Sequence, residues 1–186
     1  MRLQQFINEG LLLELSIGKA AAFADKYHSG QHRKSSGEPY IKHPVGTYKI
    51  LRNIGVKDVE VLIAALLHDT IEDTKVTYNN IKKEFNKNTA DLVKSVSSDK
   101  KKIKIMGKPE YLLNKMINIS DNALLIKLAD RLQNLSDINS VDKSFAEKMI
   151  NQTTFILQSL REKRKLTNFH KKLIRLINKQ MKTYKG

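Results

Sequence analysis

The chain contains no cysteine and no tryptophan, only three prolines, and 19 acidic residues against 34 basic ones in 186 positions. The missing cysteines exclude a disulfide scaffold, a thiolate zinc site and a cysteine nucleophile, so any metal must be held by His, Asp or Glu. With so few prolines and eight glycines, there is little room for long unstructured connections. A long apolar run is missing too: the longest, Val61 to Leu67, falls far short of the roughly 20 residues that cross a bilayer. The Leu11-Leu12-Leu13 patch is bracketed by Glu9 and Glu14, which does not suit a signal-peptide core. Together these absences predict a cytoplasmic, single-domain globular chain over residues 1–186 with no membrane span, its 40% hydrophobic residues closing one core.

The shortage of acid is uneven. Residues 161–186 hold ten Lys/Arg and one acid, which is nine of the fifteen net positive charges. Phe169, Leu173, Leu176, Ile177 and Gln180 fall at helical spacing within this stretch, so 161–186 reads as a basic C-terminal amphipathic helix. Two uses fit it: a helix docked on the core with its lysines in water, or a surface for nucleic acid or anionic lipid.

Helical periodicity runs from end to end, and alternating β-branched runs are absent, which predicts an all-α fold. A first helix is expected from about Leu12 to His28, with Leu12, Leu15, Ala22 and Phe23 among its apolar positions, stopped by Gly30. A loop from Gly30 to His43 follows, then a helix opened by Pro44 and closed by Gly55. Asp58 suits an N-cap for the next helix, whose Val61 to Leu67 is apolar on every side and therefore central. Further helices are predicted over about Tyr78–Phe85, Thr89–Val96, Pro109–Ile117, Asp121–Asp137 and Lys143–Leu160, with Lys100 to Lys104 as a flexible basic loop.

The segment His68-Asp69-Thr70-Ile71-Glu72-Asp73-Thr74 puts four ionisable groups at the end of the most hydrophobic helix. If that helix continues, His68 and Glu72 share one face and Asp69 and Asp73 the next, so all four look into one cavity; the alternative is an acidic tip emerging into water. Two other regions add donors. His43 precedes Pro44 at a helix start, and Lys127, Asp130, Asn134 and Asp137 form a polar stripe opposite Leu125, Leu128, Leu132 and Leu135. His43, His68, Asp69 and Asp130 thus make a two-His, two-carboxylate set from three helices, a mixture suited to Mn²⁺, Fe²⁺ or Zn²⁺ with open positions for water and a phosphate oxygen.

Four segments occur in order: His28-Ser29-Gly30-Gln31-His32-Arg33-Lys34, Gly37-Glu38-Pro39-Tyr40-Ile41-Lys42-His43-Pro44, Ala64 through Thr74, and Lys127-Leu128-Ala129-Asp130-Arg131-Leu132. By these the chain resembles the HD-domain hydrolases, more closely the (p)ppGpp hydrolase branch of the RelA/SpoT family and its small stand-alone members, over about residues 18–160. The resemblance implies a compact HD-domain helical bundle with His43, His68, Asp69 and Asp130 as metal ligands, and Mn²⁺ as the metal, other divalent ions being acceptable. It assigns Glu72 and Asp73 to the chemistry and places Arg33, Lys34 and Asn134 at the substrate, a small-molecule nucleotide. The implied reaction removes the 3′-pyrophosphate of ppGpp or pppGpp, leaving GDP or GTP. A guanidinium can stack on a purine and pair with phosphate, while a lysine adds a compact charge; Lys100 to Lys102 would help draw in the anion.

The chain departs from the family after Asp130, where Arg131-Leu132-Gln133-Asn134-Leu135-Ser136-Asp137 replaces a run close to Arg-Leu-His-Asn-Met-Arg-Thr. Ser136 removes a cation and Asp137 adds a negative charge near an anionic ligand, which bears on base selectivity. The 186 residues leave no room for the synthetase half of the long members, so hydrolysis without synthesis is expected. Rival readings are an HD-type hydrolase of NADPH or an adenosine alarmone, and an inactive module that binds nucleotide or nucleic acid.

Overall fold

A computed structural model describes the backbone of residues 2–185 and the side-chain surroundings of residues 11–185. Among these residues there is no strand, only one isolated antiparallel bridge between His32 and Pro39. The helices are α1 (Arg2–Tyr27), α2 (Lys42–Ile54), α3 (Val59–Leu67), α4 (Thr70–Asp73), α5 (Tyr78–Glu84), α6 (Lys87–Val96), α7 (Lys100–Met106), α8 (Lys108–Asn118), α9 (Asp121–Leu135), α10 (Lys143–Lys163) and α11 (Asn168–Met181). A single 3₁₀ turn, Ile138–Ser140, separates α9 from α10.

The centre is α3. The Asp58 carboxylate caps it by accepting the Glu60 and Val61 N–H groups at 3.0 and 3.2 Å, and every side chain from Val61 to Leu67 is buried. An all-apolar helix can only be satisfied on all sides by other helices, and α1, α2, α6 and α9 surround it. At the end of α2, Gly55 takes φ +100°, a left-handed turn that a side chain resists, and its N–H closes on Arg52 O. At Gly46 an added Cβ would lie 2.3 Å from Gln133 Oε1, so the missing side chain lets α2 lie close against α9. These two helices carry His43 and Asp130, two of the four predicted metal-binding positions, so the close approach bears on the site.

Three expectations are corrected. The first helix begins at Arg2, and its core stripe is Ile17, Ala20 and Ala24 rather than Leu12 and Leu15, which are 62% and 60% exposed. The alanines allow close packing on α3, and the leucine stripe lies on the opposite side. Lys100 to Lys104 belongs to a helix, not a flexible loop, because the Asp99 carboxylate accepts the N–H groups of Lys101 and Lys102 at 2.9 and 3.2 Å and starts α7. Finally, 161–186 is not one helix: α10 runs to Lys163, and a break at Arg164 precedes α11. The core face of α11 is His170, Leu173, Ile174 and Ile177, packed on α9 and α2, while Phe169 and Leu176 of the expected stripe are partly exposed.

Arg164 explains the break. Its guanidinium donates to the carbonyls of Met116, Ile117 and Ile119 at 2.9, 3.0 and 2.6 Å and to Asp121 Oδ1 at 2.7 Å. It therefore closes the C-terminal end of α8, where carbonyls lack partners and a cation suits the helix dipole.

Candidate metal centre

The chain leaves the helical ladder at the point where the chemistry begins. After Leu67 the backbone turns through His68 and Asp69, with Thr70 Oγ1 donating to Leu67 O at 2.7 Å, and restarts as the single turn α4. The continuous helix expected through Asp73 is therefore broken, and the four ionisable groups separate into two pairs. His68 and Asp69 turn inward. Glu72 Oε2 accepts the Ser98 N–H at 2.8 Å, and Asp73 lies 3.6 Å from Lys100 Nζ.

Inward, four donor atoms converge. His43 Nε2 and His68 Nε2 are 3.2 Å apart, and Asp69 Oδ2 is 3.0 Å from His68 Nε2 and 3.4 Å from His43 Nε2. Asp130 Oδ1 completes the set, 3.3 Å from His43 Nε2 and 3.8 Å from His68 Nε2. His43 comes from the first turn of α2, His68 and Asp69 from the end of α3, and Asp130 from α9. Ligand atoms of His43, His68 and Asp69 all lie within 4.8 Å of one another.

The donor set suits a divalent cation. His68 Nδ1 donates to Ala65 O at 2.8 Å, which leaves the Nε2 lone pair aimed at the cluster, the arrangement that orients metal-binding imidazoles. Two imidazoles and two carboxylates brought together out of bulk water favour a positive charge between them. Burial works against a charged His68, but the Asp69 and Asp130 carboxylates outweigh it and raise the imidazole to about 9. Asp130 is held well below the usual carboxylate range: burial opposes its ionisation, and Lys127 with the two histidines overcomes that cost.

Three surrounding residues were not singled out by sequence reasoning. Lys127 Nζ donates to Asp130 Oδ2 at 2.8 Å and leaves Oδ1 for the cluster; its i,i+3 spacing from Asp130 is part of the polar stripe on α9. Tyr40 Oη donates to Asp69 Oδ2 at 2.7 Å, and its hydroxyl is pushed far above its ordinary value by burial and by Asp69. The His28 ring stacks on Tyr40 with centroids 4.6 Å apart and donates from Nδ1 to Gln31 Oε1 at 2.8 Å, while Gln31 Nε2 donates to Asp73 O at 3.0 Å. Both aromatic groups sit in segments that carry the family resemblance.

The predicted substrate residues flank the cluster. Arg33 N–H donates to Glu38 O at 2.8 Å and Tyr40 N–H to Gln31 O at 3.0 Å, so the expected loop is a short hairpin that presents Arg33 inward. Its guanidinium meets Asn134 Oδ1 at 3.1 Å from both terminal nitrogens and Asp137 Oδ2 at 3.2 Å. Asn134 Nδ2 in turn donates to Asp130 Oδ1 at 2.6 Å, linking Arg33 to the cluster. Asp137, expected to add bare negative charge, is engaged by Arg33 and by Ser35 Oγ at 2.9 Å. Lys34 is exposed, and its side chain pairs with none of the described residues.

Comparison with known proteins follows this geometry. A family model described as HD domain matches residues 20–165. Guanosine-3′,5′-bis(diphosphate) 3′-pyrophosphohydrolase MESH1 of Danio rerio is 40% identical over 117 residues, covering 62% of this chain and 64% of that protein. The bifunctional (p)ppGpp synthase/hydrolase SpoT of Escherichia coli is 37% identical over 151 residues, 77% of this chain and 21% of its own length. The match thus spans just under two thirds of the first relative and about a fifth of the second. Among solved structures, a metazoan ortholog of SpoT that hydrolyses ppGpp superposes with a TM-score of 0.75 at 27% identity, covering 89% of this chain and 95% of the other.

Proposed function

The chain belongs to the HD-domain family, and from that premise we propose that it hydrolyses the 3′-pyrophosphate ester of guanosine 3′,5′-bis(diphosphate), with manganese as its metal. The observation that carries this reading is the convergence of His43, His68, Asp69 and Asp130 from three helices, with two more carboxylates one turn further along the chain. Manganese is proposed on the family resemblance, and the donor set of two imidazoles and two carboxylates accepts it among other divalent ions.

A divalent cation held by His43, His68, Asp69 and Asp130 supplies Lewis acidity toward a phosphoryl oxygen and makes a nearby water more acidic. The protein's own groups do the rest. In the proposed step the water adds to the phosphorus bonded to the ribose 3′ oxygen, that P–O bond breaks, and the proton passes to the departing ribose oxygen. Asp73 is suited to carry the proton, because burial and the neighbouring Asp69 and Glu72 carboxylates raise it above the usual range and make it a better base. Glu72, anchored through one oxygen to Ser98, has its other oxygen available to orient the water. Lys127 holds the outer oxygen of Asp130, and Tyr40 bonds the same Asp69 oxygen that faces the two histidines, so each fixes the orientation of its carboxylate. Arg33 and Lys34 receive the nucleotide, with Asn134 as the link between Arg33 and Asp130.

The test is incubation of the purified protein with ppGpp and Mn²⁺, resolving GDP and pyrophosphate, with Asp69→Ala as control. Metal-dependent release of both products that disappears in the variant is expected. Absence of turnover with the metal bound would discard this substrate, and NADPH and the adenosine alarmones would then be assayed in its place.

A further inference from the structure

The proposed reaction leaves the C-terminal charge unused. After Glu162 the sequence contains no acid, and nine Lys or Arg fall between Lys163 and Lys185. The fold puts them to different ends. Arg164 closes α8, and Lys172 Nζ donates to Ile54 O at 3.2 Å, at the C-terminal end of α2. Lys171, Arg175 and Lys179 stand on the exposed side of α11, away from the buried Leu173, Ile174 and Ile177, and Lys182 is exposed just past the last turn. None of these four makes an ion pair among the described residues.

No carboxylate on the helices packed against α11 is left over to balance them. α2 contains no Asp or Glu. On α9, Asp121 is bonded to Arg164 and Asp130 belongs to the metal cluster, while Asp137, just beyond that helix, is held by Arg33 and Ser35. Lys171, Arg175 and Lys179 also follow one another at steps of four residues, a spacing at which like charges destabilise a helix. A polyanion laid along this face removes that repulsion.

The shape of the face decides among polyanions. A helix that enters an anionic bilayer does so by its apolar side. That side of α11 is committed to the core, and Phe169 and Leu176 at its edge are only 39% and 37% exposed. A protein partner is held chiefly by apolar anchors in pockets, whereas the outer side of a single helix is a convex strip, here of cations. A nucleic-acid duplex needs neither anchor nor insertion, because its phosphates bind through the release of condensed counterions and present one negative charge per roughly 1.7 Å of axis. The three cations rise about 6 Å per step over about 12 Å, so each can meet a different phosphate.

We propose that the outer face of α11 is a docking surface for the phosphate backbone of a nucleic-acid duplex, bound without reading its sequence. Lys171, Arg175 and Lys179 make the phosphate contacts, and Lys182 extends them beyond the helix. The surface does not depend on the hydrolytic reaction, and the loss of either leaves the other standing.

The test is fluorescence anisotropy of a short labelled DNA duplex titrated with the full chain, repeated from about 50 to 200 mM salt. Lys171→Gln/Arg175→Gln/Lys179→Gln is compared with Lys82→Gln/Lys83→Gln/Lys148→Gln, which removes the same charge from exposed positions on α5 and α10. The α11 variant is expected to bind about tenfold or more weakly at the lowest salt, alike for duplexes of different sequence, and to lower the steepness of log K against log salt by about three. The second variant keeps the wild-type slope, and melting curves of both show that neither has lost its fold. A wild type that leaves the duplex free, or two variants that weaken it equally, overturns the surface. Cosedimentation with phosphatidylserine vesicles adds the last arm: vesicle binding that needs the α11 cations, without duplex binding, gives the face to lipid and also overturns the proposal.

Discussion

Lys127 shows how much of the centre depends on groups that never enter it. Its ammonium is largely buried and donates to Asp130 Oδ2 at 2.8 Å, in a neighbourhood that also holds the Asp69 and Glu72 carboxylates. Removing one partner of a buried pair leaves the other charge uncompensated, which typically costs about 3–5 kcal/mol. Lys127→Met is therefore expected to lower the thermal midpoint of the metal-free protein by several degrees and to gain more from added Mn²⁺ than wild type does, because the metal restores the missing charge. Differential scanning fluorimetry with EDTA or Mn²⁺ checks it, and an unchanged metal-free midpoint would show that the pair is not integral. The clustering of His43, His68, Asp69 and Asp130 was readable from the sequence because His-Asp on an apolar helix is costly without a partner, and because two other helices supplied one. Lys127 was not, since a lysine at i−3 from an aspartate on a helix is usually an exposed pair. Only the tertiary contact of α9 with α2 and α3 buries it.

The helices themselves divide along a similar line. Where a boundary rests on local chemistry it was legible: Asp58 before α3, Gly55 after α2, and the apolar run Val61 to Leu67. Where it rests on packing it was not, as in the break between α10 and α11, created by Arg164 reaching four acceptors far away in sequence, and in α1, whose core face is a stripe of small residues rather than its leucines. His170 binds these levels together. It sits at the third position of α11, accepts the Thr167 N–H on Nδ1 at 3.2 Å and donates from Nε2 to Asp121 O at 2.9 Å. Acceptance on Nδ1 requires the neutral ring, and burial holds its pKa below the ordinary 6.5, with Arg164 adding to burial and Asp121 opposing it. The unfolded chain then binds the extra proton more readily than the folded one, so this contribution to stability is present above pH 6.5 and is lost as pH falls through the lower, folded value. His170→Gln keeps an acceptor for the capping box and removes the titration. Between pH 7 and pH 5 the melting midpoint of wild type is expected to fall more steeply than that of the variant, and parallel curves would rule the mechanism out.

The fifteen net positive charges of the molecule are arranged in two ways with different consequences. Part of the excess lies beside Glu72, where Lys94, Lys100, Lys101, Lys102 and Lys115 gather. Most of it lies after residue 160, where the structure separates cations that hold the fold together from cations that only coat it. Arg164 belongs to the first kind, with three carbonyls and the Asp121 carboxylate as partners. Lys171, Arg175 and Lys179 are exposed or nearly so on the face of α11 away from Leu173, Ile174 and Ile177, which are buried. α11 also packs on α9 between Asp121 and Leu135, the helix that carries Asp130, and Gln180 Nε2 donates to Leu135 O at 3.2 Å. Truncation after Leu160 therefore removes three large apolar side chains from the core and uncaps α8. Each such side chain contributes about 2–5 kcal/mol, so the sum of about 6–15 kcal/mol is as large as the roughly 5–15 kcal/mol that usually holds a domain folded. The truncated chain is expected to lose its cooperative unfolding transition and its response to Mn²⁺ together. Replacing Lys171, Arg175 and Lys179 with glutamine removes three charges but no packing, and should leave the midpoint within a few degrees of wild type. A truncated protein that still unfolds cooperatively and still shifts with Mn²⁺ would mean that α11 is an appendage, and that the helix bearing Asp130 is held in place from its other faces alone.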